Sequence, residues 1–323
     1  MTYGTAFDHV VGSSTMNRIG LPLLRISLLS SVYDRLPVPE EAAADTSLAD
    51  LKAILDRDGI VVLPDFLPEP VFEAVRREFH AFDETHNHAE PDRHGTGVDW
   101  RHAAWNWANG DGGMPTIHDA VASNPVARRL IMHVLRAPVP PALRVNLQHL
   151  SLPPDRVDDR DVECVLHADR PFPCVKAFFL VEDCAVEDGA FVFAPGTHRL
   201  TQERLAFEHE FAVQYALQQE GRLDEVDPAF LERNRVTLDE AARRTLDVHP
   251  LSITGRRNTL IVANVCAFHA RGPLTPGHSR SMIRMLCYDY QLPFYWKAIA
   301  GEPALQPMIP MLTSGALQPT SAF

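Results

Sequence analysis

The stretch "LHADRPFP", residues 166–173, sets His167 and Asp169 two positions apart at the end of the apolar run "DVECVLHAD" (161–169). Alternate residues of a β-strand point to the same face, so both side chains can enter a barrel from one strand end. Two histidines and one carboxylate on one face of an octahedron leave the remaining positions open for cosubstrate and O2. That is the ligand set of mononuclear non-haem Fe(II) oxygenases. By itself a His-x-Asp pair is weak evidence in a chain with 15 histidines. The sequence carries a second pair of this kind, His88-Ala-Glu90 in "THNHAEPDRHG" (85–95), with no apolar strand before it. That copy reads as a surface loop.

The downstream pattern separates the two. A third ligand should come from a later strand, and "NTLIVANVCAFHARG" (258–272) delivers His269 at the end of a long apolar run. Arg280 follows and heads "RSMIRMLCYDY" (280–290). A guanidinium near a metal suits a dicarboxylate cosubstrate, because its planar fork pairs bidentately with a carboxylate.

Working outward, further strand-like runs lie at 143–152, 174–184, 189–198 and 251–255. A helix is expected over 48–57, capped by Ser47 and broken at Asp58-Gly59, then a strand at "IVVLPDF" and a second helix over 68–82. Residues 83–117 are rich in His, Gly, Asn and Trp and read as loop. Residues 202–246 switch to helical composition. The chain therefore divides into an N-terminal extension (1–45), one domain (46–295) with a helical insertion (202–246), and a C-terminal tail (296–323). Helices followed by many short strands, without βαβ alternation, indicate a mainly β core with helical decoration. A double-stranded β-helix, the cupin-like jelly roll, is the natural closed form. The insertion is a candidate lid over the substrate, since long insertions on a rigid scaffold tend to carry specificity.

Composition bounds the rest. Hydrophobic residues make up 46% of the 323 and the formal net charge is −12, which speaks against nucleic acid as a partner. Five cysteines without a C-x-x-C pair suggest reduced thiols in a cytoplasmic protein. No run of about 20 apolar residues is present, so no transmembrane segment is expected. The start lacks the pattern of a signal peptide. The amphipathic stretch 17–36 is expected to pack on the domain surface, with peripheral membrane contact as the minority reading. Oligomeric state is not legible.

Taken together, His167-Ala-Asp169, "VKAFFLVEDCAVEDG" (175–189), "FVFAPGTHR" (191–199), His269 and Arg280 resemble the phytanoyl-CoA dioxygenase family of Fe(II)- and 2-oxoglutarate-dependent oxygenases. "DGIVVLPDFLPEPVFEAVRREF" (58–79) resembles its N-terminal helix-strand-helix opening. The resemblance implies Fe(II), 2-oxoglutarate and O2 as cofactor and cosubstrates. It implies His167, Asp169 and His269 as iron ligands and Arg280 as the holder of the distal carboxylate of 2-oxoglutarate. Two positions depart from the family pattern: Phe178 stands where Trp is frequent, and Arg271 where a small hydroxyl residue is frequent. Asp169 itself bears on reaction type. Related halogenases carry a small residue there, so hydroxylation or another aliphatic C–H oxidation is expected over halogenation.

Other residues divide between roles. If Phe178 points inward, alternation sends Lys176 the same way, to 2-oxoglutarate or an anionic substrate group; an outward lysine on an edge strand is the competing reading. Arg284 shares the face of Arg280 and, with Arg271, is a candidate substrate contact. Gln148 is a candidate cosubstrate contact, against ordinary strand hydrogen bonding. His198 is expected to organise its turn. The function expected is oxidation of a small metabolite or natural-product intermediate. The same chemistry on a lipid, glycolipid or acyl substrate at a membrane surface is the alternative, and a non-catalytic jelly-roll binding protein is the third reading.

Overall fold

Gly59 ends the first helix of the domain and starts its first strand. It takes the left-handed conformation, φ 79°, that favours glycine, and its N–H bonds back to Leu55 O. In this computed structural model the described residues are 14–36, 46–86, 88–92, 95–106, 109–137, 141–158, 162–170, 172–230 and 236–287. The tail 296–323, residues 1–13 and 37–45, and the expected strand beyond Cys287 lie outside them.

Seven helices carry the argument: α1 (Ser14–Arg18), α2 (Leu21–Arg35), α3 (Ala49–Asp58), α4 (Glu69–His86), α5 (Pro125–Leu135), α6 (Gln202–Gln219) and α7 (Glu240–Thr245). The strands are β1 (Ile60–Leu63), β2 (His88–Glu90), β3 (Asp99–Asn106), β4 (Arg144–Ser151), β5 (His167–Ala168), β6 (Val175–Leu180), β7 (Phe191–Phe193), β8 (Val236–Thr237), β9 (Leu251–Ile253), β10 (Thr259–Asn264), β11 (His269–Arg271) and β12 (Ser279–Cys287). They form an antiparallel seven-stranded sheet, β1-β10-β6-β12-β4-β3-β2, and a five-stranded sheet, β8-β5-β11-β7-β9. This is the expected jelly roll.

Strand β6, "VKAFFL", explains how the layers assemble. All six residues are buried. Val175, Ala177 and Phe179 join Phe72, Val75 and Phe79 of α4 and Leu130 of α5 in a core outside the large sheet. Phe178 and Leu180 face inward, with Phe191 and Phe193 of the small sheet. Such double-sided burial is why the strand reads as a continuous apolar run and not as an alternation. Burying each such phenylalanine stabilises the fold by roughly 1.5–3 kcal/mol.

Four expectations are corrected. The helix α3 is capped by Leu48 without a side-chain bond, after a 3-10 turn over Thr46–Leu48, so Ser47 is not its cap. Residues 83–117 are not all loop: β3 pairs with β4 over eight positions and β2 pairs with β3. Strand "DWRHAAWN" has no clean alternation; the partner strand imposes its conformation. The described part of the run 161–169 opens on a 3-10 turn, Val162–Cys164, and only His167 and Ala168 join the sheet.

The insertion, lastly, is not placed as a lid. Helix α6 packs Phe211, Tyr215 and Leu217 in a cluster with Ala168, Ala194 and Phe268, and Arg204 reaches the carbonyls of Thr197 and Cys266. None of the described residues lining the central cavity comes from 202–246. Instead the insertion adds strand β8, which pairs with β5. The stretch 17–36 is spoken for in part, since α1 and α2 contact α6 and bury Ile26 and Tyr33. No helix among the described residues is long and apolar enough to cross a membrane.

Candidate metal and cosubstrate site

Strand pairing builds the site. His269 of β11 lies directly opposite His167 of β5, on the antiparallel pair at the centre of the small sheet. Asp169 follows β5 by one residue and is held there by its N–H, which donates to Val265 O at 3.2 Å. One ligand atom from each of His167, Asp169 and His269 lies within 4.8 Å of the others. His167 Nε2 is 3.6 Å from Asp169 Oδ1, and His269 Nε2 is 3.6 Å from Asp169 Oδ2.

Each imidazole is oriented by the main chain. His167 Nδ1 lies 2.7 Å from Val165 O, and His269 Nδ1 lies 3.0 Å from Ala267 O. A carbonyl only accepts, so Nδ1 carries the proton in both rings and Nε2 presents its lone pair inward. Burial, and then the nearby Lys176 ammonium, push His269 below the ordinary histidine range, which keeps the ring neutral as a ligand must be. Burial works to raise Asp169, but Lys176 and the two histidines outweigh it and hold its carboxyl well below the usual range. Two neutral inward nitrogens and one ionised carboxylate are the donor set that a divalent iron takes.

The Pro-Gly-Thr-His turn places the distal histidine. Thr197 Oγ1 accepts from Phe268 N at 3.0 Å, one residue before His269, and Ala194 N donates to Phe268 O at 2.9 Å. His198 bonds to Asp56 O and packs where a Cβ on Gly59 would stand, so it fastens the turn to the α3–β1 junction. That is the turn-organising role expected of it, and it is no ligand.

His167 and His269 border a cavity of about 150 Å3 between the sheets. The large sheet supplies Gln148, Lys176, Phe178, Arg280, Met282 and Arg284 to its walls. Arg280 is buried, donates to the Gly189 carbonyl and leaves its Nε without a partner. Burial pushes its guanidinium down to about 10. A charge held against that desolvation, with a donor unsatisfied, fits an incoming carboxylate. Arg271 also lines the cavity, yet both its Nη atoms are engaged by Asp158, at 2.6 and 2.9 Å. Arg284 lines it from the face of Arg280 as alternation required, and its Nη2 reaches the Asn146 side-chain oxygen once that amide is turned.

Lys176 is inward, not on an edge: β6 lies between β10 and β12. Its Nζ is 2.6 Å from Asp169 Oδ2 and 3.0 Å from His269 Nε2. Val98, Trp100 and Leu150 at the cavity were not anticipated. Trp100 follows from β3, which the composition of 83–117 concealed. By contrast His88 and Glu90, the decoy pair, sit on the edge strand β2, where His88 is exposed.

Residues 55–229 match the family model described as phytanoyl-CoA dioxygenase. No curated protein sequence matches the chain. Among solved structures the chain is similar to the epimerase SnoN in complex with Fe3+, alpha ketoglutarate and nogalamycin RO, at 15% identity over 74% of this chain and 82% of that one, TM-score 0.48. It is also similar to a Pseudomonas putida prolyl-4-hydroxylase (14%, 74% and 97%, 0.44). A third is HygX from Streptomyces hygroscopicus with nickel and 2-oxoglutarate bound (15%, 72% and 83%, 0.39). The family match spans more than half of the sequence and includes His167 and Asp169. The chain belongs to the phytanoyl-CoA dioxygenase family of Fe(II)- and 2-oxoglutarate-dependent oxygenases.

Proposed function

We propose that the protein hydroxylates an unactivated aliphatic C–H bond of a small, anionic metabolite or natural-product intermediate. The observation that carries this reading is the clustering of His167, Asp169 and His269 ligand atoms within 4.8 Å of one another, beside a cavity lined by both histidines and by buried Arg280. His167, Asp169 and His269 would hold the iron, which with 2-oxoglutarate and O2 supplies the oxidising power for C–H cleavage. Arg280 takes the distal carboxylate of 2-oxoglutarate, and Phe178 and Gln148 wall the same space. Asp169 fills the position that a halide would need, which favours oxygen insertion. The substrate reads as anionic because the Arg284 guanidinium lines the same cavity as Arg280.

The test is anaerobic addition of Fe(II) and 2-oxoglutarate to the purified protein. A metal-to-ligand charge-transfer band in the visible is expected, and its absence would sink the reading. Hydroxylation is then checked by incubating candidate carboxylate-bearing substrates with 18O2 and looking for one labelled oxygen in the product.

A further inference from the structure

Lys176 stands apart from every other residue of the site. Its ammonium contacts two of the three proposed ligands, at 2.6 Å to Asp169 Oδ2 and 3.0 Å to His269 Nε2. The ammonium thus engages two of the three groups that a divalent ion would draw on. The residue is 7% exposed and comes from the middle of the large sheet, opposite the strand pair that carries the histidines. The lysine thus does electrostatically what the metal would do. It neutralises Asp169 and gives the lone pair of His269 a donor. Asp169 and both histidines are buried or nearly so, and the fold needs some cation among them.

We propose that Lys176 is a built-in competitor for the metal position: it satisfies the ligands in the metal-free protein and is displaced when the ion enters. The displaced ammonium remains in the cavity on its four-carbon stem and turns to the anion bound beside the metal, the 2-oxo acid end of 2-oxoglutarate. This rests on the oxygenase reading above. It gives the lysine two opposed effects. It opposes metal binding, because the ion must break the Asp169 pair and then sit near a like charge. It favours the anionic cosubstrate, because it adds a cation close to the carboxylate. A lysine with only a structural role would affect both in the same direction.

The chain contains only three lysines, Lys52, Lys176 and Lys297. That makes the wild-type protein its own reporter. Lysine labelled with 13C at Cε gives three resonances, assigned with Lys52→Arg and Lys297→Arg. Titration with Zn2+ should move the Lys176 signal and leave the other two in place. In parallel, Co2+ affinity is measured by calorimetry for the wild type, Lys176→Met and Lys176→Gln, followed by 2-oxoglutarate affinity for each Co2+-loaded protein. The expected result is Co2+ binding roughly tenfold tighter in both variants and 2-oxoglutarate binding roughly tenfold weaker. A Lys176 resonance unmoved by Zn2+, or Co2+ binding equal to or weaker than wild type in the variants, overturns the proposal while the oxygenase reading stands. Co2+ binding by the variants but not by the wild type upholds the competition and overturns the oxygenase reading. Loss of metal binding in all three proteins overturns both.

Discussion

His167 and His269 are cross-strand partners, with ring centroids 4.5 Å apart across the β5–β11 pair. Their separation along the chain is large, yet each imidazole depends on the other's strand for its place. Removing either should remove the metal. His167→Ala and His269→Ala are each expected to weaken Co2+ binding beyond the roughly 10–100-fold typical of disturbing an orienting partner. The melting temperature of the metal-free protein should change far less than the gain in melting temperature on adding metal.

Arg280 is expected to act on cosubstrate affinity and not on metal affinity. Arg280→Ala deletes the bidentate donor facing the cavity, and a charge-assisted bond contributes about 1.5–3 kcal/mol. The 2-oxoglutarate dissociation constant should rise by roughly tenfold to a hundredfold, read from the charge-transfer band or by calorimetry. Arg280→Lys keeps the charge but loses the fork, so it should recover only part of the loss.

Arg271 carries a different expectation because its guanidinium is engaged. Its pair with Asp158 is buried on both sides, with side-chain exposures of 8% and 0%. Asp158 also accepts from Leu274 N at 2.8 Å, so it ties the loop after β4 to the segment after β11. Arg271→Ala leaves that carboxylate buried without its cation, which costs roughly 3–5 kcal/mol. A fall in unfolding free energy of that order by urea titration is expected. A change in substrate KM with unchanged stability would instead assign Arg271 to the substrate.

Acid stability should depend on Glu182. Burial works to raise its carboxyl, but bonds from Arg76 and His80 outweigh it and hold the group below its ordinary value. Its folded-state value is therefore below the unfolded one. Its stabilising contribution is present above the unfolded value and is lost as pH falls through the folded one. Glu182→Gln should lower stability at neutral pH and flatten the acid limb of a stability-versus-pH curve, measured by thermal melts from pH 7 downwards.

Much of this site was legible because its parts obey short-range rules. The His-x-Asp pair follows an apolar run, Pro-Gly-Thr-His is a turn, the runs at β6 and β10 are nearly continuous in apolar residues, β4 alternates apolar with polar residues, and β12 mixes the two. Alternation from Phe178 offered Lys176 an inward place against an outward one on an edge strand, and the central position of β6 decides for the first. What was not legible depends on partners distant in sequence. Strand β3 exists because β4 offers eight positions to pair with, and Trp100 reaches the cavity only through it. Helix α5 does carry a local start signal: Asn124 stands before Pro125, and its side chain accepts from Val126 N and Ala127 N. The contact of Lys176 with Asp169 needs both sheets in place, and no spacing along the chain encodes it.

The carbonyls of Val165 and Ala267 set the tautomers of the two histidines. A carbonyl belongs to the backbone, so substituting Val165 or Ala267 leaves its acceptor in place. The inward nitrogens are consequently insulated from drift in the neighbouring side chains. Sequence change can then remodel the cavity walls at Trp100, Gln148, Met282 or Arg284 and redirect the chemistry to new molecules, while the two inward nitrogens are handed down by the strands themselves.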